Sequence, residues 1–116
     1  MSYNTGINRV FLLGSVCDDP AWQIIDGKRM LCFQLSTTEE IKKGNGSYEH
    51  TEWHSIKVPP DLIKNRIHFQ KDEQVYIQGK IQTRVVFEGG VKLYKAEILA
   101  TNVEYLKTAN KYLHAL

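Results

Sequence analysis

Apolar and polar residues alternate along most of this chain in short runs, and turn-forming residues separate the runs. Because successive side chains of a β-strand point to opposite faces, a period of two indicates strands that bury one face. Asp26-Gly27 and Gly89-Gly90 stand between such runs, and these residues tolerate the positive φ of tight turns. The pattern therefore predicts an all-β domain.

Five strands and one helix are predicted. The first strand, residues 8–16, is apolar on both faces, which is typical of a strand covered on both sides. The polar residues 37–51 predict a mobile hairpin that turns at Gly44-Asn45-Gly46. Residues 61–69 place apolar side chains at helical intervals behind Asp61, a favourable N-cap residue, and predict one short helix. The other strands are expected at residues 29–37, 51–58, 73–87 and 91–106.

The composition fits a single domain. With 116 residues, 42% of them hydrophobic, the chain is long enough to bury one core. The formal net charge of +2 attracts nucleic acid only weakly, so binding depends on where the charges lie. Cys17 and Cys32 each lie in an apolar run, which favours reduced thiols and a reducing compartment. The first residues lack the order of a signal peptide and no run approaches membrane-spanning length, so a cytoplasmic protein without a membrane partner is expected.

The segment TEWHSIKV, residues 51–58, puts the largest hydrophobic side chain of the protein on a polar face. Ile56 and Val58 mark one face of this predicted strand as the core side, so Trp53 and Lys57 share the other face. An exposed aromatic ring beside a cation suits an unpaired nucleobase and its phosphate. The alternative is that Trp53 contacts another subunit or covers the edge of the fold.

The fourth predicted strand repeats this combination of an aromatic residue with cations. Tyr76, Lys80 and Arg84 share one face of the strand, opposite the apolar residues that begin with Val75 and Ile77. An ordinary solvated face would give the same alternation. The shared aromatic nevertheless favours contact with nucleic acid over that alternative.

Five strands with one short helix between the third and fourth are the arrangement of the OB-fold, a five-stranded Greek-key barrel. Four motifs occur in order: INRVFLLGSVCDDP at residues 7–20, TEWH at 51–54, VYIQGKIQTR at 75–84 and KLYKAEILA at 92–100. Together they resemble the bacterial-type single-stranded DNA-binding protein family from about Ile7 to Leu106. We therefore expect one OB-fold domain at residues 1–106 and a short C-terminal extension at residues 107–116.

The resemblance implies a protomer that forms a homotetramer, with a dimer as the alternative, and that binds single-stranded DNA without sequence specificity in replication, recombination or repair. No cofactor and no metal are expected. The nucleic-acid-binding residues are expected to be Trp53, Lys57, Tyr76, Lys80, Arg84, Phe87, Tyr48, Tyr94, Lys42 and Lys43. The residues expected at the oligomer interface are His54, from its place in the TEWH motif, and Asn8, Val10 and Leu12 of the first strand.

The chain departs from the family pattern at three stacking positions and at its C-terminus. Ile41, Pro59 and Val86 stand where the family has aromatic residues, and only Tyr48 and Phe87 lie close enough to substitute. The extension ends in TANKYLHAL rather than in an acidic tip, so recruitment of repair proteins through the tail is expected to be absent. Trp22, outside the family pattern, either caps the barrel or adds a stacking face.

Catalysis is not expected. The pairs Asp18-Asp19 and Glu39-Glu40, Cys17 and the four histidines form no recognisable metal spacing, nucleophile elbow or phosphate-binding loop. The alternative function is that of an OB-fold accessory protein of the primosomal type, which acts mainly through protein contacts. A location at the nucleoid is expected, and an organellar or mobile-element origin remains open.

Overall fold

The structure is a computed structural model that describes residues 5–63 and 70–106. Six strands form one sheet: β1 (Val10–Val16), β2 (Ala21–Ile25), β3 (Lys28–Lys43), β4 (Gly46–Val58), β5 (Gln74–Glu88) and β6 (Val91–Leu106). Within these two ranges, none of the helical segments has the length and apolar character needed to cross a membrane.

Five of the six strands close into a barrel. The strand order is β1-β5-β6-β4-β3-β2, and a second pairing of β1 with β3 joins the two ends of the five-stranded part. The closure is short, because Ser15 pairs with Ser36 and Val16 with Leu35. β4 and β6 are the parallel pair, in register at Ile56 and Ile98. The all-β, OB-fold prediction is confirmed, and β2 is an additional strand on the outer edge of β3.

The barrel interior is filled by the alternate residues that the sequence pattern assigns to the core. The buried apolar residues are Val16, Leu31, Phe33, Leu35, Ile56, Val58, Val75, Ile77, Ile98, Ala100 and Val103. In β1, Val10 and Leu12 pack against this cluster, whereas Phe11 and Leu13 point outward and are each 58% exposed. The first strand is therefore apolar on both faces, but the barrel covers only one of them.

Two glycines allow strands to approach each other closely at the closure. A Cβ atom on Gly14 would overlap the carbonyl oxygen of Ser36, next to the β1–β3 pairing. A Cβ atom on Gly79 would overlap the carbonyl oxygen of Leu99, at the β-bulge between β5 and β6. Only a residue without a side chain fits at these two positions.

Two hairpins extend beyond the barrel. From Thr37 onward β3 pairs only with β4, down to Lys43 opposite Gly46, with the turn at Gly44-Asn45. The predicted hairpin is thus confirmed, but its two sides are regular β-strands. The hydrogen bonds between the two backbones do not depend on the polarity of the side chains. We call this hairpin, residues 37–52, the β3–β4 arm. In the same way residues 82–97, where β5 and β6 pair only with each other, form the β5–β6 arm, which turns at Gly89-Gly90.

The predicted helix begins differently in the structure. One turn of 3-10 helix spans Pro60–Leu62, with Pro59 as its N-cap residue and no side-chain cap. The prediction of Asp61 as the N-cap is therefore wrong, because the fixed φ of Pro60 suits the first helical position. Residues 64–69 of the predicted helix and the C-terminal extension at residues 107–116 lie outside the described residues.

Candidate nucleic-acid interface

The outer face of β4 carries the predicted stacking residue. Trp53 lies directly opposite Ser36 of β3, on the face turned away from the core, and is 66% exposed. Its neighbours on that face are small and polar, including Thr51, whose hydroxyl is 2.9 Å from that of Thr38. A flat apolar ring is thus available beside groups that form hydrogen bonds, which suits a nucleobase. The placement agrees with the sequence interpretation of Trp53 as an outward residue.

Two predicted phosphate-binding cations, Lys57 and Arg84, share one carboxylate. Arg84 donates two hydrogen bonds to Glu97, from Nε to Oε1 and from Nη2 to Oε2, each 2.9 Å long. The Lys57 ammonium lies 3.6 Å from Oε2 of Glu97. The side chains of Lys57, Arg84 and Glu97 are 12%, 25% and 8% exposed. This ion-paired cluster, Lys57-Arg84-Glu97, is therefore largely shielded from water, unlike the open cations that the sequence suggests.

The electrostatics of this cluster follow from the close contact. The hydrogen bonds from Arg84, together with the charge of Lys57, lower the pKa of the Glu97 carboxyl below its ordinary value. Cys32, opposite Lys57 on the same face, is buried, and this burial raises the pKa of its thiol. Glu97 is therefore ionised at neutral pH, and Cys32 has little thiolate character.

A cleft of about 500 Å³ opens over this cluster. One wall is the β2–β3 hairpin, the other is the beginning of the β5–β6 arm, and β4 and β6 form the floor. Its lining residues are Ile25, Asp26, Lys28, Met30, Lys57, Gln82, Thr83, Arg84, Val85, Glu97 and Leu99. Because Lys57 and Trp53 are both on the outer face of β4, the cleft and the tryptophan belong to one surface.

The other predicted residues of β5 lie on the same outer face. Tyr76 is half-buried opposite Glu104, and Lys80 is exposed opposite Leu99, beside the cleft. Tyr76 is also opposite Leu13 of β1. Five of the predicted residues therefore point outward from the barrel: Trp53, Lys57, Tyr76, Lys80 and Arg84.

Phe87 and Tyr94 occupy the opposite face of the β5–β6 arm. In the strand pairing Phe87 is opposite Lys92 and Val85 is opposite Tyr94, so all four share the face that continues from the core. Both aromatic rings are exposed, and the Lys92 ammonium is 5.3 Å from the centroid of the Tyr94 ring. These residues therefore form a separate aromatic surface, rather than one continuous platform with Trp53.

The β3–β4 arm carries the remaining predicted contacts. Tyr48 is exposed and faces the same side as Ile41, which is half-buried opposite it. Lys42 and Lys43 are exposed near the turn and point to opposite faces of the arm. Of the three positions at which the resemblance implies aromatic residues, Ile41 has Tyr48 directly opposite it in the strand pairing. Val86 is followed by Phe87, which points to the other face of β5, and Pro59 has no adjacent aromatic residue in the sequence.

The four residues predicted for an oligomer interface have other contacts within the chain. Asn8 donates from Nδ2 to the carbonyl oxygen of Ile81, and its Oδ1 accepts from the Ile81 amide, at 2.8 and 3.0 Å. Nε2 of His54 lies 2.9 Å from Oγ1 of Thr37. Val10 and Leu12 pack against the core. The outward apolar residues of β1 are Phe11 and Leu13, which the sequence interpretation did not select.

Glu97 is a residue of the cleft that sequence reasoning missed. Glu97 sits in an apolar run and carries no motif of its own, although its period-two position on β6 places it on the outer face. Arg29 lies over the ring of Trp22 at 4.0 Å from its centroid, so this indole already has a cation on one face. Asp18 and Asp19 accept hydrogen bonds from the backbone amides of Gln34 and Lys71. Within residues 5–63 and 70–106, no three His, Cys, Asp or Glu side chains are grouped as a metal site requires.

Comparisons with a family model, with individual sequences and with solved structures all agree on one family. The sequence model of the single-strand binding protein family matches residues 7–106. Single-stranded DNA-binding protein 1 of Chlorobaculum tepidum is 35% identical over 106 residues, which cover 87% of this chain and 65% of that protein. The single-stranded DNA-binding protein of Bacteroides thetaiotaomicron is 32% identical over 108 residues, which cover 86% of this chain and 66% of that protein. The chain thus spans just under two thirds of the length of these relatives.

A solved structure supports the fold as well as the sequence match. The Plasmodium falciparum SSB in complex with ssDNA superposes with a TM-score of 0.73 at 26% identity, over 91% of this chain and 100% of that one. The family match covers the whole barrel, from the residues before β1 to the end of β6. This chain therefore belongs to the single-strand binding protein family.

Proposed function

We propose that this protein binds single-stranded DNA without sequence specificity, by stacking bases on Trp53 and holding the backbone with lysine and arginine side chains. The observation that carries the proposal is the exposed indole on the outer face of β4, on the same surface as Lys57, Lys80 and Arg84. Stacking on an aromatic ring tolerates any base, since every base has a π-face. The names of both curated relatives and the bound strand in the Plasmodium structure support this reading.

The aromatic surface of the β5–β6 arm and the β3–β4 arm supply further contacts in this proposal. Phe87 and Tyr94 offer stacking faces, and Lys92 beside Tyr94 offers a charge for the backbone. Tyr48, Lys42 and Lys43 play the same part on the β3–β4 arm. A single DNA strand that contacts both faces of an arm must pass around the edge of that arm. These contacts therefore add to those at Trp53.

The proposed role is binding rather than catalysis, in line with the family match. An accessory protein that acts mainly through protein contacts has less support, because the relatives are named for DNA binding. The proposed cellular site is the cytoplasm, at the nucleoid, where single strands are exposed.

A fluorescence titration tests the proposal. A Trp22→Phe variant leaves Trp53 as the one tryptophan of the chain, so quenching reports on that ring. Mixed-sequence single-stranded DNA should quench it, and affinity should fall as salt rises because phosphate contacts release counterions. Single-stranded RNA and duplex DNA, titrated in parallel at two salt concentrations, define the substrate class. Absence of quenching and of salt-sensitive binding at low salt would contradict the proposal.

The Trp53→Ala variant measures how much stacking on this ring contributes to the binding free energy. Loss of one stacked base should weaken binding by about 1–3 kcal/mol, or roughly 5-fold to 150-fold. Trp22→Ala is the matched control, because it removes the same side chain from the β2–β3 hairpin, where Arg29 already covers the ring. Equal losses for the two variants would mean that Trp53 has no special role.

We also propose that copies of this chain assemble into a homotetramer or dimer through the outer face of β1. Phe11 and Leu13 are exposed side by side on this strand, and such apolar patches are typical of contact surfaces. The other residues predicted for the interface, His54, Asn8, Val10 and Leu12, would then act by positioning this strand and the adjoining sheet. Light scattering at micromolar concentration should give a mass above that of the 13.4 kDa chain. The Leu13→Ser variant should lower that mass, and a monomeric wild-type protein would refute the proposal.

A further inference from the structure

The strand β2 has a free edge. It comes last in the strand order, next to β3, and the part of the chain that the structure describes places no strand on its other side. Its residues are exposed apart from the half-buried Ile25, and none of them is charged. The unpaired backbone groups of such an edge can pair with an added strand. The edge of β2 therefore meets the first requirement of a surface that binds an extended peptide.

The turn after β2 determines which backbone groups face this edge. Both residues of the turn have positive φ, 50° and 78°, as in the two-residue turns of tight hairpins. The residues that flank such a turn, Ile25 and Lys28, form a hydrogen-bonded pair, and bonded and non-bonded pairs alternate from there along the two strands. The amide and carbonyl groups of Trp22 and Ile24 therefore point away from β3 and toward the free edge.

The side chains beside the edge combine apolar surface with a cation. Ile24 is directly opposite Arg29 and is 69% exposed, and Trp22, on the same face, is 40% exposed. The Arg29 guanidinium lies 4.0 Å from the centroid of the Trp22 ring, and it forms no ion pair with a carboxylate of the described residues. A guanidinium binds a carboxylate through two parallel hydrogen bonds. Arg29 is thus held on this face with its charge available.

We propose that β2 binds an extended acidic segment of a partner protein, which joins the sheet as a further strand. The backbone of this segment pairs with Trp22 and Ile24, its apolar side chains pack on the same two residues, and one of its carboxylates binds Arg29. Lys28, opposite Ile25 on the other face, offers a second cation. The inference adds a protein partner to the proposed function and does not depend on DNA binding.

The chemistry of the edge favours this occupant over two others. A second copy of β2 has no charged residue, so it would supply no carboxylate for Arg29. A nucleic-acid strand has phosphates but lacks the regular backbone amides and carbonyls that pair with a strand edge. The carboxylates of Asp18 and Asp19, which precede β2, accept hydrogen bonds from the backbone amides of Gln34 and Lys71, and neither pairs with Arg29.

Hydrogen exchange with three defined peptides tests the proposal. The peptides are blocked at both ends, have seven residues of alternating valine and threonine, and carry two glutamates, two lysines or no charge. We expect the acidic peptide to bind at least about 10-fold more tightly than the other two. At saturation it should slow exchange of the Trp22 and Ile24 amides at least about 10-fold, and exchange of the Gln23 and Ile25 amides, already bonded to β3, less than about 2-fold.

Three outcomes of this experiment would overturn the proposal. The first is that the acidic peptide does not bind or binds no better than the others, and the second is that it binds without protecting the two outward amides. The third is protection of the same amides by oligo(dT), which would assign the edge to nucleic acid.

Two substitutions of Ile24 separate backbone pairing from side-chain contact. Ile24→Pro removes the outward amide but leaves the bonds to β3, because proline is tolerated where an edge strand donates nothing to its neighbour. Ile24→Ala is the matched control, which loses the side chain and keeps the amide. We expect losses in acidic-peptide affinity of at least about 10-fold for Ile24→Pro and about 3-fold for Ile24→Ala, with oligo(dT) affinity within about 2-fold for both. Equal losses for the two variants would contradict strand addition.

A second pair of variants tests the charge without altering the backbone. Arg29→Gln should abolish the preference for the acidic over the uncharged peptide. Lys42→Gln is the control, because it removes an exposed cation about 40 Å away along β3 and should leave the preference unchanged. A preference that survives Arg29→Gln, or that both variants lose, would overturn the proposal.

Discussion

Replacing Glu97 by glutamine is expected to weaken the fold and to tighten DNA binding at the same time. The carboxylate is 8% exposed and holds Arg84 through two hydrogen bonds of 2.9 Å, with Lys57 at 3.6 Å. Glutamine keeps the shape and one acceptor oxygen but removes the charge. The two cations then face each other without a counterion, in a site with limited access to water.

The loss of stability can be estimated from the exposure of the three side chains. Removing one member of a fully buried ion pair costs about 3–5 kcal/mol. Arg84 is 25% exposed and the glutamine still accepts one hydrogen bond, so about 2 kcal/mol is a reasonable expectation here. For a chain of this length that corresponds to a fall in Tm of about 8 °C. Glu88→Gln is the matched control, because its 3.1 Å pair with Lys95 is exposed and should contribute less than about 1 kcal/mol.

The gain in affinity follows from the charge of the cleft. The cleft is lined by three cations, Lys28, Lys57 and Arg84, and by two carboxylates, Asp26 and Glu97, so removing the charge of Glu97 raises its net charge from +1 to +2. A unit charge about 6 Å from a phosphate in water contributes about 0.7 kcal/mol, or roughly a threefold tighter complex at low salt. Thermal unfolding at one protein concentration and DNA titrations at two salt concentrations measure the two effects. A Glu97→Gln variant that is less stable but binds no more tightly would refute the idea that Lys57 and Arg84 face the strand.

Three further predictions concern the fold. Because its partners lower the pKa of Glu97, the stability that this carboxylate contributes should be complete above the ordinary glutamate pKa of about 4.3 and should be lost as the pH falls through the lower native pKa. In unfolding measurements from pH 7 to 2, the Glu97→Gln variant should therefore lose less stability on acidification than the unchanged protein, and equal losses would contradict this. Gly14→Ala should destabilise the barrel by about 2–3 kcal/mol, since its methyl group overlaps the Ser36 carbonyl; an unchanged denaturation midpoint would contradict the close approach of β1 and β3. Asn8→Ala should cost about 1 kcal/mol by removing two hydrogen bonds to Ile81, measured by urea unfolding, and a neutral result would show that water replaces them.

The outward position of Trp53 could be predicted because apolar residues of the same strand show which of its faces is buried. Ile56 and Val58 fix the buried face of β4, and a period of two then assigns every other residue. The same argument placed Lys57 and Arg84 on the outer surface. It could not show that Glu97 also meets Lys57, since the parallel contact of β4 with β6 joins residues forty positions apart in the sequence. That contact depends on the order of the strands in the sheet and not on any local pattern.

A bulge explains why Tyr94 could not be assigned to the correct face. Asn102 pairs with Gln78 but Ala100 pairs with Gly79, so Thr101 is an extra residue in β6. Its hydroxyl donates to the carbonyl oxygen of Gln78 at 3.1 Å. One inserted residue reverses the alternation for everything before it in the strand, and the apolar positions shift from odd to even numbers. Nothing in the local sequence marks this insertion.

The additional strand β2 is an edge strand of the sheet, and its five residues, AWQII, contain no charge. The unpaired backbone groups of an uncharged edge strand tend to pair with the edge strand of another molecule, which leads to aggregation. Here the neighbouring strand contributes Lys28 and Arg29, and the latter lies over the Trp22 ring. Two approaching copies would bring these cations together and repel one another. Arg29, held on this indole, is thus placed to oppose edge-to-edge association of two β2 strands.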